Sequence, residues 1–516
     1  MIREAIRCRP LVLLAIGALA CGAFFATPAA GAKPAPERPA TVITIEAVIA
    51  GSQGEHLADL RASEIHVFED KKEQKILLFR PRERGVPQQA LLRPNEFSNR
   101  SRPLLPPPTV VLLDLLNERF STGTAGSFEI GKALQALEPS ERLSMYLLTR
   151  HAEIDPVHSL QQAEADVAES RAPWTRGAVA IVDAAMRSAL AMRSGDLSYA
   201  DLRFDPTMRA LQSLATRMAA VPGRKNLIWV THGVPLTVRD VSGEPIDLTP
   251  NVRKMAASLA RFRIAVYAVA QSAEGAGGGF DLSADMLRLI ADWSGGREYG
   301  SDAIDAAINE SIRDARNAYI VAYERPAQKR PPQYHKLQLS CDRKGARILA
   351  RQGDVDAVDL PPSDQELLAG IESAARATLD CPEIGVQAQV SSTGASPPAL
   401  HLDIHIDPRD VLLRPGGDGR LHSQLALVIA EYEDGGLKPL PLPAPLDMNL
   451  SAEPDPGGAR DGYDLTRDLP ASPGSQEIRC IVMDRDLNLA GSVTVPLPGR
   501  AKGRVGINSG LKNPAP

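Results

Sequence analysis

At 516 residues, with 44% hydrophobic side chains but only 4% aromatic ones, the chain has room for roughly two to four domains whose cores are filled by aliphatic residues and alanine. The net charge of -5 comes from 58 basic and 63 acidic residues in mixed order, without the basic block that nucleic acid or an anionic membrane would call for.

The first 32 residues read as a signal peptide. Arg3, Arg7 and Arg9 precede an apolar run over 11–26, and Ala30-Gly31-Ala32 offers a small-residue cleavage site. Cys21 follows Ala18-Leu19-Ala20, a poor match to a lipidation motif because a leucine is wanted at Ala18. No second run reaches the length of a membrane span, so a periplasmic or secreted protein is expected. Beyond this segment lie Cys341, Cys381 and Cys480, which allow at most one intramolecular disulfide. Cys381 with Cys480 is the better pair, and three buried free thiols are the alternative.

A Pro- and Ala-rich tether over 33–40 leads into a small β module over 41–80, where apolar residues alternate in 42–49, 65–69 and 75–79. The stretch 81–108, rich in Pro, Arg and Asn, reads as a linker.

From 109 to 352 strands and helices alternate. Strands are predicted at 109–116, 143–149, 226–231, 264–270, 318–323 and 336–341. Between them, Leu211, Leu214, Ala215 and Met218 share the i, i+3, i+4, i+7 spacing of a helix face, as do Val252, Met255, Ala256 and Leu259, and Met286, Leu289, Ile290 and Trp293. Strands separated by such helices predict an α/β domain with a doubly wound, mostly parallel sheet and helices on both faces. Asp114 interrupts the apolar run TVVLLDLL, and a carboxylate there suits the carboxyl edge of that sheet, where open α/β sheets bind ligands.

VVLLDLLNERF, VPGRKNLIWVTHGVPL, RIAVYAVA, IADWSGGREY and AYIVAYERP stand in the order and spacing of the acidobacterial-type VWFA-related domain family. The chain over 41–352 thus resembles a branch of the von Willebrand factor type A fold, with DLRASEIHVFEDKKEQKILLF resembling the β module that precedes it. The resemblance implies an exported, non-enzymatic protein-binding or envelope-assembly module with the carboxyl edge as its contact surface. It also implies a metal site of the form Asp-x-Ser-x-Ser, completed by a threonine and a second aspartate, that takes Mg²⁺. Asp114 matches the first position, but Leu116 and Glu118 stand at the two serines and His232 at the second aspartate. Thr175 matches the threonine, while Asn117 and Glu118 offer replacement oxygens. A degenerate site is therefore expected, with no cofactor or at most a Mg²⁺ on Asp114, Asn117, Glu118 and Thr175, and His232 on the binding surface. The alternative is an Asp114 that only ties down the loop after its strand.

Gly126 to Lys132 fits the GxxxxGK phosphate loop, but Ala133 stands where a hydroxyl is needed and Gly126 lies ten residues beyond Leu116, so a plain helix over 127–137 is the better reading. After a helix over 364–378, alternation over 384–495 predicts an immunoglobulin-like β-sandwich over 362–500, followed by a disordered tail over 501–516. His401, Asp403, His405 and Asp407 share one strand face, read as solvated rather than metal-binding. Asp484, Asp486 and Asn488 have the spacing of a calcium loop, but Leu489 replaces its glycine, so a hairpin turn is expected. The sequence contains neither GxSxG nor HExxH, which favours a binding protein over its rival, a secreted hydrolase with an unrecognised active site.

Overall fold

The computed structural model describes residues 40–497 apart from 56, 58, 83–91, 94, 101–106, 118–129, 136–141, 170, 192–199, 220, 222, 240–241, 271–283, 301–302, 328–332, 357, 359, 361, 394–398, 435, 452–461 and 471–473. The signal-like segment, the tail, Glu118 and most of the GxxxxGK stretch lie outside these residues.

The apolar runs of the middle third form a six-stranded sheet in the order Arg297–Tyr299, Ile264–Ala270, Lys225–Thr231, Thr109–Asp114, Leu143–Leu148, Ile154–His158. Its first five strands are parallel and Ile154–His158 is antiparallel. Alternate residues supply two cores. Val110, Leu112, Trp229 and Val266 pack against helices Ala200–Ala219, Thr249–Arg261 and Ala284–Ser294. Val111, Leu113, Ile228 and Tyr267 pack against Ala178–Ala191 and Ile304–Arg316. Burial on both faces explains the lack of hydrophobic alternation in the four central strands.

The expectation of a doubly wound, mostly parallel sheet over 109–352 is overturned. The described residues form six sheets, most of whose pairings are antiparallel. The predicted strands at 318–323 and 336–341 do not join the parallel sheet. Ala318–Arg325 lies between Thr41–Ala50 and Ile76–Pro81, antiparallel to both. Tyr334–Cys341 pairs antiparallel with Ile65–Glu69 and Gly353–Val355. The short connection between 325 and 334 leaves no room for the crossover helix that would let these two strands pair parallel with each other. One core then joins Ile43, Ile45, Ile65 and Val67 to Tyr319, Val321, Tyr323 and Leu337. The boundaries placed at 80 and 109 are therefore crossed by shared sheets, and 41–80 shares its sheets with strands beyond 318.

The C-terminal region packs two antiparallel sheets face to face. One runs Tyr463–Pro470, Ala399–Ile406, Val386–Thr393, Glu96–Ser98, so a piece of the expected linker serves as an edge strand. The other is built on the long strand Arg420–Glu433, which pairs with Glu477–Asp484 and Ala444–Ser451. Their inner faces share a core with Ile320 and Ala322, and helix Asp364–Arg376 covers the outer face of the second sheet. The alternation of sides decides the cysteines. Cys480 faces the inner core and Cys381 the outer one, and Cys341, Cys381 and Cys480 are all free thiols. Burial pushes the thiols of Cys381 and Cys480 up to about 12. No helix among the described residues is long and apolar enough to cross a membrane.

Candidate functional site

Asp114 ends its strand fully buried, and its carboxylate is saturated from within the chain. Oδ1 accepts the backbone N–H groups of Leu116 at 3.1 Å and Asn117 at 3.0 Å. Oδ2 accepts Asn117 Nδ2 at 2.8 Å, Thr231 Oγ1 at 2.7 Å and Trp229 Nε1 at 3.2 Å. Burial raises the pKa of Asp114 against the pull of Asn117 and Thr231. Asn117 Nδ2 also donates to Thr207 Oγ1 at 2.9 Å, and Arg203 Nη1 donates to the Leu116 carbonyl at 3.2 Å. These bonds fasten the loop after the strand to helix Ala200–Ala219.

Of the residues grouped by sequence, Asp114 and Asn117 meet, and His232 directly follows Thr231 at the same edge. Thr175 does not join them. Its neighbour Trp174 donates from Nε1 to the carbonyl of Leu143, the first residue of a strand whose last residue, Leu148, lies opposite Asp114. That is roughly 16 Å of strand away, at the amino edge. Glu118 is outside the described residues. Asn117 Oδ1 is a buried oxygen without a hydrogen-bond partner, but five donors aimed at Asp114 and a threonine at the wrong edge do not fit a Mg²⁺ held by the expected set. Sequence reasoning missed Trp229 and Thr231, although two residues at period two on the neighbouring strand were a readable signal. Thr207, inside a helix, carried none.

Beside this edge lies an open groove of ≈ 430 Å³, lined among others by Glu153, Asp155, Pro206, Arg209, Ser213 and Arg217. It runs between the edge strand Ile154–His158 and helix Ala200–Ala219, where Arg217 Nη1 donates to the Ile154 carbonyl at 3.2 Å. Pro156 removes a backbone donor from that edge strand, which discourages open-ended strand addition.

A second polar centre sits where Ile65–Glu69 packs on Ala318–Arg325. Arg325 contacts Glu69 through Nε at 2.9 Å, Asp354 through Nη2 at 2.5 Å and Asp356 through Nη1 at 3.1 Å. His335 places Nδ1 2.8 Å from Asp70 and Nε2 2.9 Å from Asp356, so both ring nitrogens face carboxylates. Burial works against the imidazolium, but the bond to Asp70 and the charges of Asp354 and Asp356 hold its pKa above the usual histidine value. Glu69, Asp70 and His335 bring ligand atoms within 4.8 Å of one another, close enough for a cation, and Arg325 with a protonated His335 already supplies positive charge there.

The two C-terminal patterns resolve into structure. His401 and His405 pair across strands with Asp468 at 2.6 Å and Asp464 at 2.8 Å, and Asp403 accepts Thr466 Oγ1 at 2.8 Å, all on an exposed face. Asp484, pushed up to about 6 by burial, accepts the backbone N–H groups of Asp486, Leu487 and Leu412 and shapes the last hairpin.

No protein-family profile matches the chain, and no curated protein does. Among solved structures it is similar to the vWF domain of the type V pili tip protein Mfa5 from Porphyromonas gingivalis, at 10% identity and a TM-score of 0.26, over 41% of this chain and 95% of that one. At that score the likeness carries no argument for this chain.

Proposed function

We propose that the chain is an exported, non-enzymatic protein-binding module that takes an extended segment of a partner into the groove beside Ile154–His158. The observation that supports this reading is the groove itself, ≈ 430 Å³ with Glu153 and Asp155 on one wall and Arg209 and Arg217 on the other. Opposite charges on facing walls orient a polar segment and reject one of the wrong sign order. The carboxylate of Asp114, consumed by five internal donors, keeps the adjoining loop in place and leaves contact to the groove walls. Export rests on the apolar run over 11–26 behind three arginines.

The test is photo-crosslinking from the groove wall, with a benzophenone residue at Ser213, in the envelope fraction of the native cell. One dominant adduct that disappears in the double variant Asp155→Lys, Arg209→Glu supports the reading. Adducts unchanged by that variant, or turnover of generic ester, peptide or glycoside substrates by the purified chain, would overturn it.

A further inference from the structure

At the amino edge of the parallel sheet, opposite the groove, buried charges do not balance. Arg224 and Arg263 directly precede the strands Lys225–Thr231 and Ile264–Ala270, and both reach Glu46 on the N-terminal strand. Arg263 also pairs with Glu383. Arg82 and Lys225 act on the same two carboxylates. Three arginines thus meet two carboxylates, beside a Lys225 whose burial favours the neutral amine, in a place where Arg224 and Lys225 are 2% and 3% exposed.

A cavity of ≈ 80 Å³ opens among these groups, bounded by Glu46, Arg224, Arg263, Ser294, Arg351 and Asn488. Two further charged residues on its wall have partners of their own. Arg261 donates to the carbonyls of Val358 and Leu360 and to Glu366, and Asp486 lies 3.3 Å from Arg414 Nη2. Arg224 is not fully used: Nη1 donates to Glu46 at 3.1 Å, Nη2 makes a long bond of 3.4 Å to the Tyr267 hydroxyl, and Nε is buried without an acceptor. At about 30 Å³ per water, the space takes two or three waters or one tetrahedral oxyanion of similar bulk.

We propose that this cavity binds a small tetrahedral oxyanion, of the size of inorganic phosphate or sulfate, held by Arg224, Arg263 and Arg351. Guanidinium groups present several N–H donors in a plane that suits such oxygens, and a dianion offsets the surplus positive charge. Its place is structural as well as chemical. The walls come from the N-terminal strand, the amino edge of the central sheet and the turn of the last hairpin, so a bound anion bridges three regions.

The experiment is thermal unfolding and calorimetric titration of the purified chain with sodium phosphate and sodium sulfate, against sodium chloride at matched ionic strength. Tm rises by several degrees with either oxyanion and not with chloride, and Arg351→Met weakens the affinity at least tenfold. Arg224→Met has the same effect where it folds; ³¹P NMR of phosphate with the unaltered chain, showing a broadened or shifted line that sulfate restores, gives a reading that needs no variant. Equal Tm values in all three salts with no binding heat, or phosphate affinity unchanged in folded Arg351→Met, would overturn the proposal.

Discussion

Asp114 looks from the sequence like a carboxylate waiting for a ligand. In the folded chain its two oxygens take five donors from Leu116, Asn117, Trp229 and Thr231. Removing the acceptor leaves several buried donors without one, at about 1–3 kcal/mol for each group that water cannot reach. Asp114→Ala is therefore expected to destabilise the chain by about 4 kcal/mol, read from the urea midpoint at constant slope. A loss below ~1 kcal/mol would show that the loop relaxes and re-pairs these donors. The position of Asp114 at a strand end was legible because a charge interrupting an apolar run has few places to go. The anchor of its loop was not, since Thr207, inside a helix, meets Asn117 only through packing.

Elements show the same division. Four of the five parallel strands were readable as apolar runs, and the helix faces as 3.6-residue spacing, while the short edge strand Arg297–Tyr299 was not. Pairing partners were not readable. Ala318–Arg325 has residues buried on both faces, Tyr319, Val321 and Tyr323 toward one core and Ile320 and Ala322 toward another, and such a strand suits a parallel sheet as well as the centre of an antiparallel one. Close approach between elements adds a second constraint that sequence order hides. A Cβ on Gly296 would stand 1.8 Å from the Val266 carbonyl oxygen, a backbone atom in the middle of the sheet that cannot step aside. Gly296→Ala is accordingly expected to lower stability by roughly 2 kcal/mol or more, measured by denaturant unfolding, and a neutral effect would mean that Arg297–Tyr299 shifts as an edge strand can.

At the scale of the whole molecule, the amino-edge charges make stability depend on pH in two windows. Burial alone would raise the Glu46 pKa, but Arg263, Arg224 and Arg82 bring it down to about 2 from 4.5. A carboxyl group lowered in this way contributes stability that is fully present above about 4.5 and is lost as pH falls toward 2. Lys225 goes the other way: burial, helped by Arg263, lowers its pKa from 10.5 to about 7, so the unfolded chain binds the extra proton between those values. Stability from this residue rises with pH from about 7 to 10.5. Thermal unfolding followed from pH 6 to pH 10 is expected to show that rising contribution, and Lys225→Met to remove it. An unchanged slope in the variant would mean that Lys225 keeps its proton in the fold.

Local chemistry, read along the chain, determined where apolar strands, amphipathic helices and turn-forming residues lie, because periodicity and backbone preference act over a few residues. It also marked Asp114 as the end of a strand. Only the tertiary structure decided that strands far apart in sequence share sheets, that Thr175 and Asp114 stand at opposite edges, and that three arginines converge on two carboxylates. Those outcomes depend on long-range packing and on desolvation, and both arise only once distant segments meet. TVVLLDLLNERF thus located a sheet edge correctly, while the surplus of charge that points to a ligand lies at the other end of the same strands.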